Sequence, residues 1–182
     1  GSVERAALWL TPVLAALFVL PLYGYCARLG EPAAGLLAGL VTSAAPIYWS
    51  RTGLGDVDTD CLNLFFPWLA ALTMLCIRST DTTRRVLVLS ALLGVVLYGY
   101  YCWYDKPAIA LMYWASLALY LFVQRRGPLL VIAAVVLCVL ASHPVQLALC
   151  ATDVQTLVTR YLGGSNPADG LSLATAWFPQ MM

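Results

Sequence analysis

Charge is scarce in this 182-residue sequence: ten Lys or Arg and nine Asp or Glu make up 10% of it, against 62% hydrophobic residues. A water-soluble domain carries about 25% charged and about 45–50% apolar residues. The polar groups here are too few to cover a soluble surface, so soluble classes are excluded and the lipid bilayer is the solvent. The net charge is +1, with no basic stripe, and nucleic acid is excluded as a partner. There is one histidine, and the six cysteines (Cys26, Cys61, Cys76, Cys102, Cys138 and Cys150) show no CxxC spacing. Neither a zinc site nor a disulfide framework can be built from them, and they read as small apolar residues. GxSxG, Walker A and Ser–His–Asp patterns are absent, and no internal repeat is visible. The flank Val3-Glu4-Arg5 is not the positive start of a signal peptide, so the apolar stretch after it reads as a mature membrane segment. With no initiator methionine and no polar tail after Trp177–Met182, the sequence is read as part of a longer chain.

What is present is a series of charge-free apolar runs, at residues 6–27, 33–49, 61–77, 86–104, 107–124 and 128–142. Helices of about 17–22 residues, rising about 1.5 Å per residue, cross a hydrocarbon core of about 30 Å. The expected fold is therefore all-α, a polytopic integral membrane helical bundle of six spans, the last being the shortest. Pro12, Pro21, Pro46 and Pro67 in or beside the runs predict kinks. Gly35 and Gly39 form a GxxxG pair suited to close helix packing. Val145–Leu162 carries Asp153 and Arg160 among apolar residues, which suits an interfacial helix better than a span. Gly163-Gly164-Ser165-Asn166-Pro167 signals a loop, so 143–182 reads as an external helix and loop.

The short connections sort by charge. One alternate set contains Arg28, Arg78, Arg84, Arg85, Arg125 and Arg126 against Glu31 and Asp81. The other contains Arg5, Arg51, Lys106 and Arg160 against Glu4, Asp56, Asp58, Asp60, Asp105, Asp153 and Asp169. Basic residues stay on the cytoplasmic side. Both ends of the sequence and the loop at 50–60 are therefore expected outside.

That loop, Ser50-Arg51-Thr52-Gly53-Leu54-Gly55-Asp56-Val57-Asp58-Thr59-Asp60, holds three carboxylates at alternate positions against the start of an apolar run. Charges so close to hydrocarbon are expensive. In an extended segment, positions i, i+2 and i+4 project to one side, and two preceding glycines let the backbone curl to converge the oxygens. Hard cations such as Mg²⁺ or Mn²⁺ take oxygen donors of this kind. A calcium EF-hand does not fit, because its glycine position falls on Cys61 and its bidentate glutamate position on Pro67. A merely solvated acidic loop is the plain alternative. Trp103-Tyr104-Asp105 reads as an interfacial anchor, and His143 before Pro144 as a helix-end residue.

The run Tyr48–Leu62 resembles the second acidic motif of oligosaccharyltransferase catalytic subunits, R-T-x-x-G-x-x-D-T-D before a span. Arg51-Thr52, Gly55 and Asp58-Thr59-Asp60 fall at the matching positions. Trp103-Tyr104-Asp105 followed by Pro107 is similar to the bacterial single-subunit members. The resemblance implies a GT-C-type membrane glycosyltransferase that moves an oligosaccharide from a polyprenyl (pyro)phosphate to asparagine in Asn-X-Ser/Thr, with Mg²⁺ or Mn²⁺. It implies Asp58 as a metal ligand and Asp60 as a second ligand or its neighbour. Arg51 becomes a positioning cation, and Asp56 a third candidate ligand without a counterpart in many members. It also implies the bacterial inner membrane, with the loop on the periplasmic side. The family's other acidic residues and its C-terminal soluble domain with a WWD motif are not in this sequence, so the chain alone is expected to be inactive. Two other functions compete. Another polyprenyl-phosphate-sugar glycosyltransferase of this architecture would lack the WWD-type domain. A cation-interacting transporter would place ionisable residues at mid-span depth, and the six runs contain none.

Overall fold

The computed structural model describes residues 2–52, 59–104, 107–143, 149, 151–152 and 155. Among these residues the chain is helical and contains no strand. The order is α1 (Ser2–Ala16), α2 (Val19–Arg28), α3 (Pro32–Ser43), α4 (Pro46–Thr52), a 3-10 turn (Thr59–Leu62), α5 (Phe65–Leu75), α6 (Thr83–Trp103), α7 (Pro107–Val123) and α8 (Pro128–Ala141). The segments Leu8–Arg28 and Thr83–Trp103 are each long and apolar enough to cross a membrane, and shorter apolar helices lie at Pro32–Ala44, Phe65–Leu75, Ile109–Val123 and Pro128–Ala141.

Proline sets most of the boundaries. Helices α3, α4, α7 and α8 each open on one (Pro32, Pro46, Pro107 and Pro128), a position where the missing N–H is not needed. Pro21 cannot donate to the Leu17 carbonyl, which instead accepts from Leu20 N–H at 3.1 Å, and α1 and α2 part there. Pro46 likewise leaves the Thr42 carbonyl to Ala45 N–H at 3.1 Å. The apolar run 33–49 is therefore built from two helices, and the run 61–77 from the 3-10 turn and α5. Pro67, in the first turn of α5, interrupts nothing.

Glycine sets the closest approaches. A Cβ at Gly35 would stand 2.9 Å from both Cys26 Cβ and Tyr23 Cα, and one at Gly39 would stand 3.0 Å from Val19. The GxxxG pair thus seats α3 on α2 within this chain. Gly94 does the same for α6 and α8: a Cβ there would collide with the Cys138 carbonyl oxygen. Between α5, α6, α7 and α8 lies a core that includes Ala70, Ile77, Leu93, Trp114, Leu117, Leu121, Ala134 and Cys138. Outward faces remain apolar, with Leu37, Val41, Met112, Leu119 and Ile132 all exposed. Polar groups turned inward are satisfied locally. The buried Ser90 hydroxyl donates to the Val86 carbonyl, and Thr73 to Leu69. This is the pattern of a helical bundle whose solvent is hydrocarbon. The described cysteines are free, as the spacing implied, although Cys102 is exposed rather than buried.

Candidate functional site

The sequence places the chemistry between α4 and α5, and two short helical pieces bring the flanks of that loop together. Arg51 lies in the last turn of α4. Tyr48 fixes α4 onto α1: its hydroxyl donates to the Ala15 carbonyl at 2.7 Å, and its ring meets Phe18 edge-on, with centroids 5.6 Å apart. Phe18 is fully buried. Thr52, also buried, donates to the Tyr48 carbonyl at 2.7 Å and closes the helix.

On the far flank, Asp60 belongs to the 3-10 turn Thr59–Leu62, whose next residue, Cys61, is buried. This turn packs against both α1 and α4. The backbone segments carrying Arg51 and Asp60 therefore share one patch on α1, although eight residues of chain separate them. Gly53, Gly55, Asp56 and Asp58 lie outside the described residues. Among the described residues no cluster of three or more His, Cys, Asp or Glu stands ready for a metal. The donor chemistry of Asp56, Asp58 and Asp60, hard carboxylate oxygen, fits Mg²⁺ or Mn²⁺.

An aromatic chain ties the second resembling segment to the same end of the bundle. Tyr104, at the end of α6, stacks on Tyr100 with centroids 6.0 Å apart, and Tyr100 meets Phe66 of α5 at 5.9 Å. Gly99 makes room for this, since a Cβ there would stand 3.0 Å from Phe66. Sequence reasoning took Trp103 and Tyr104 as interfacial anchors and missed the link through Tyr100 to the start of α5. It also missed the packing of α4 and the 3-10 turn on α1, because Ala15 and Phe18 carry no chemical signature. Asp105 and Lys106 lie outside the described residues, as does the surface helix expected at 145–162 apart from 149, 151–152 and 155. His143 follows α8 at φ 78° and stacks on Tyr98 with centroids 5.7 Å apart. It is a helix-end residue packed on α6, remote in sequence and contacts from α4 and the 3-10 turn.

No curated protein matches the chain across its sequence. A family model described as oligosaccharyl transferase STT3, N-terminal, matches residues 1–170, a stretch that includes α1 to α8 and the whole of the acidic loop. The chain belongs to the STT3 oligosaccharyl transferase family, membrane-integral glycosyltransferases of the oligosaccharyltransferase type.

Proposed function

We propose that this chain forms the part of an oligosaccharyltransferase that presents the loop Arg51–Asp60 to a polyprenyl-linked oligosaccharide and an Asn-X-Ser/Thr acceptor. The observation that carries the reading is the convergence of the two flanks of this loop, α4 and the 3-10 turn, on α1 inside the matched region. In this reading the six apolar runs cross the bacterial inner membrane, the loop faces the periplasm and the Arg-rich connections face the cytoplasm. The lipid chain of the donor lies along the helices, with its phosphate at the surface where the loop sits.

Asp58 and Asp60 are the residues that hold a divalent cation, Mg²⁺ or Mn²⁺, with Asp56 a third candidate. Such a cation supplies Lewis-acid stabilisation of the departing phosphate. One loop offers fewer oxygens than the roughly six that Mg²⁺ requires, so other segments of the complete enzyme supply the rest. The chain's own carboxylates have a second task. An asparagine amide nitrogen is a weak nucleophile because its lone pair is delocalised into the carbonyl. A carboxylate accepting hydrogen bonds from its N–H groups favours the geometry in which that pair localises. Arg51 holds the mutually repelling carboxylates in place, or meets the phosphate, with a planar bidentate fork.

The test is transfer to a sequon peptide by the full-length enzyme. Asp58→Ala is expected to abolish turnover while leaving the protein folded. Wild-type rate and metal dependence in that variant would remove the assignment.

A further inference from the structure

At the far end of α5 from the 3-10 turn, two connections distant in sequence are buckled together. Arg126 Nη2 donates to the carbonyls of Arg78 at 2.7 Å and Asp81 at 2.9 Å. The Tyr120 hydroxyl and Gln124 Nε2 both donate to the Ile77 carbonyl, at 2.9 and 3.1 Å. The buckle joins the two connections that, with the first turn of α6, carry Arg78, Arg84, Arg85, Arg125 and Arg126 and a single carboxylate. That carboxylate, Asp81, is already committed. Its Oδ2 accepts Arg78 N–H at 2.8 Å, and its Oδ1 lies 3.2 Å from Arg85 Nη1. Arg126 directs its guanidinium to uncharged carbonyls, and Arg78, Arg84 and Arg125 are exposed with no ion pair among the described residues. These segments carry five guanidiniums and one carboxylate.

The local structure adds to this imbalance. Helices α6 and α8 both begin here, so two positive dipole ends meet the arginines, and Arg84 and Arg85 occupy the first turn of α6, where acidic residues are favoured. Helix α7 ends in a Schellman cap, with Arg126 N–H bonded to the Leu121 carbonyl and Arg125 N–H to Phe122. Helix α2 ends in the same cap, where Gly30 takes the left-handed position at φ 92°. In α7 that position is filled by Arg125, at φ 56°. An arginine there is strained where glycine is not, and its side chain is exposed.

We propose that this arginine-lined end binds the phosphate headgroup of an anionic phospholipid, with Arg84 and Arg125 as principal ligands. Charge complementarity gives the anion, and guanidinium forks suit phosphate oxygens. The adjoining surface gives the lipid: Phe122 and Val123 before Arg125, and Leu129 after it, are 73%, 70% and 82% exposed. An amphiphile with an anionic head and acyl chains matches both surfaces, whereas a soluble phosphate matches only one. Basic pockets between membrane helices commonly hold such headgroups. The inference requires only that the bundle sits in a bilayer and is independent of the transferase reading.

Native mass spectrometry of the full-length protein in detergent, with cardiolipin against phosphatidylcholine, tests it. Wild type should retain cardiolipin preferentially. Each guanidinium near an anionic surface contributes about fivefold, so Arg125→Gly should weaken retention about fivefold. The same variant should raise the thermal midpoint, because glycine relieves the left-handed backbone; a loss of fold cannot produce that pair of results. Arg84→Gln with Arg125→Gln should weaken retention by about twenty-fivefold, and the corresponding double lysine variant should keep most of it. Equal retention of the two lipids by wild type, or unchanged cardiolipin retention in Arg125→Gly and the double glutamine variant, would overturn the proposal. So would displacement of cardiolipin by an equal concentration of soluble glycerophosphate, which would assign the site to free anions.

Discussion

The two ends of the bundle use acidic residues in opposite ways. Between α5 and α6 stands one carboxylate, Asp81, buried and bonded to the residue three before it and the one four after it. It shapes a turn. Between Asp56 and Asp60, from the loop after α4 into the 3-10 turn, three carboxylates fall in five residues, more than a turn needs, and like charges so spaced raise one another's cost. A carboxylate matched by local partners reads as architecture. A like-charged set next to an apolar run, with Arg51 the one basic residue of its loop, is what the proposed cation would balance.

That contrast can be broken most strongly by removing metal. Chelation of the full-length enzyme is expected to lower sequon transfer at least about a hundredfold, in line with the loss of a principal transition-state electrostatic contact. Transfer should return with Mg²⁺ or Mn²⁺, and the unfolding midpoint should stay within error. Asp81→Ala should do the reverse. It leaves the Arg78 N–H without its acceptor and removes the ion pair to the exposed Arg85, and should destabilise by about 1–2 kcal/mol, read by denaturant titration in detergent, while turnover per folded molecule is retained.

Smaller changes sharpen the comparison. Arg51→Lys keeps the charge but loses the planar fork, and should lower turnover about tenfold while metal affinity persists; Arg51→Ala should weaken both. Transfer kinetics and metal titration of the two variants separate these outcomes. If both variants match wild type, Arg51 is only an interfacial anchor reaching for the surface. Least affected should be Tyr48→Phe. It removes the hydrogen bond from α4 to the Ala15 carbonyl, worth about 1 kcal/mol, and thermal unfolding should register it, with a matching modest loss of turnover if α4 positions the loop.

Much of this was legible in the sequence because membrane physics writes in long, simple patterns. The proline starts at Pro32, Pro107 and Pro128 and the helix breaks near Pro21 and Pro46 follow from a missing N–H. The close seat of α3 on α2 follows from Gly35 and Gly39. Less legible was anything that depends on partners far apart in the chain. Nothing in the pattern around Ala15 or Phe18 marks them as the partners of Tyr48. Nor does Arg126 announce that it will tie 124–127 to 76–82, since an arginine after a helix looks the same whether it meets water or a carbonyl. Arg125 was legible only as charge, and its left-handed backbone emerges with the cap. For the proposed site, the resemblance of the motif points to Arg51, Asp58 and Asp60. The structure adds the α1 patch shared by the backbone flanks at Arg51 and Asp60, while Asp56 and Asp58 lie outside the described residues.

In the proposed reading the carboxylates at 56–60 hold a divalent cation while Asp81 holds only the fold. Manganese titration of the full-length protein, followed by the electron paramagnetic resonance signal of free Mn²⁺, addresses it without depending on turnover. Asp58→Ala should raise the dissociation constant for Mn²⁺ by at least about tenfold, as expected for loss of a ligand, and Asp81→Ala should leave it unchanged. Equal Mn²⁺ affinity in wild type and Asp58→Ala would contradict the account.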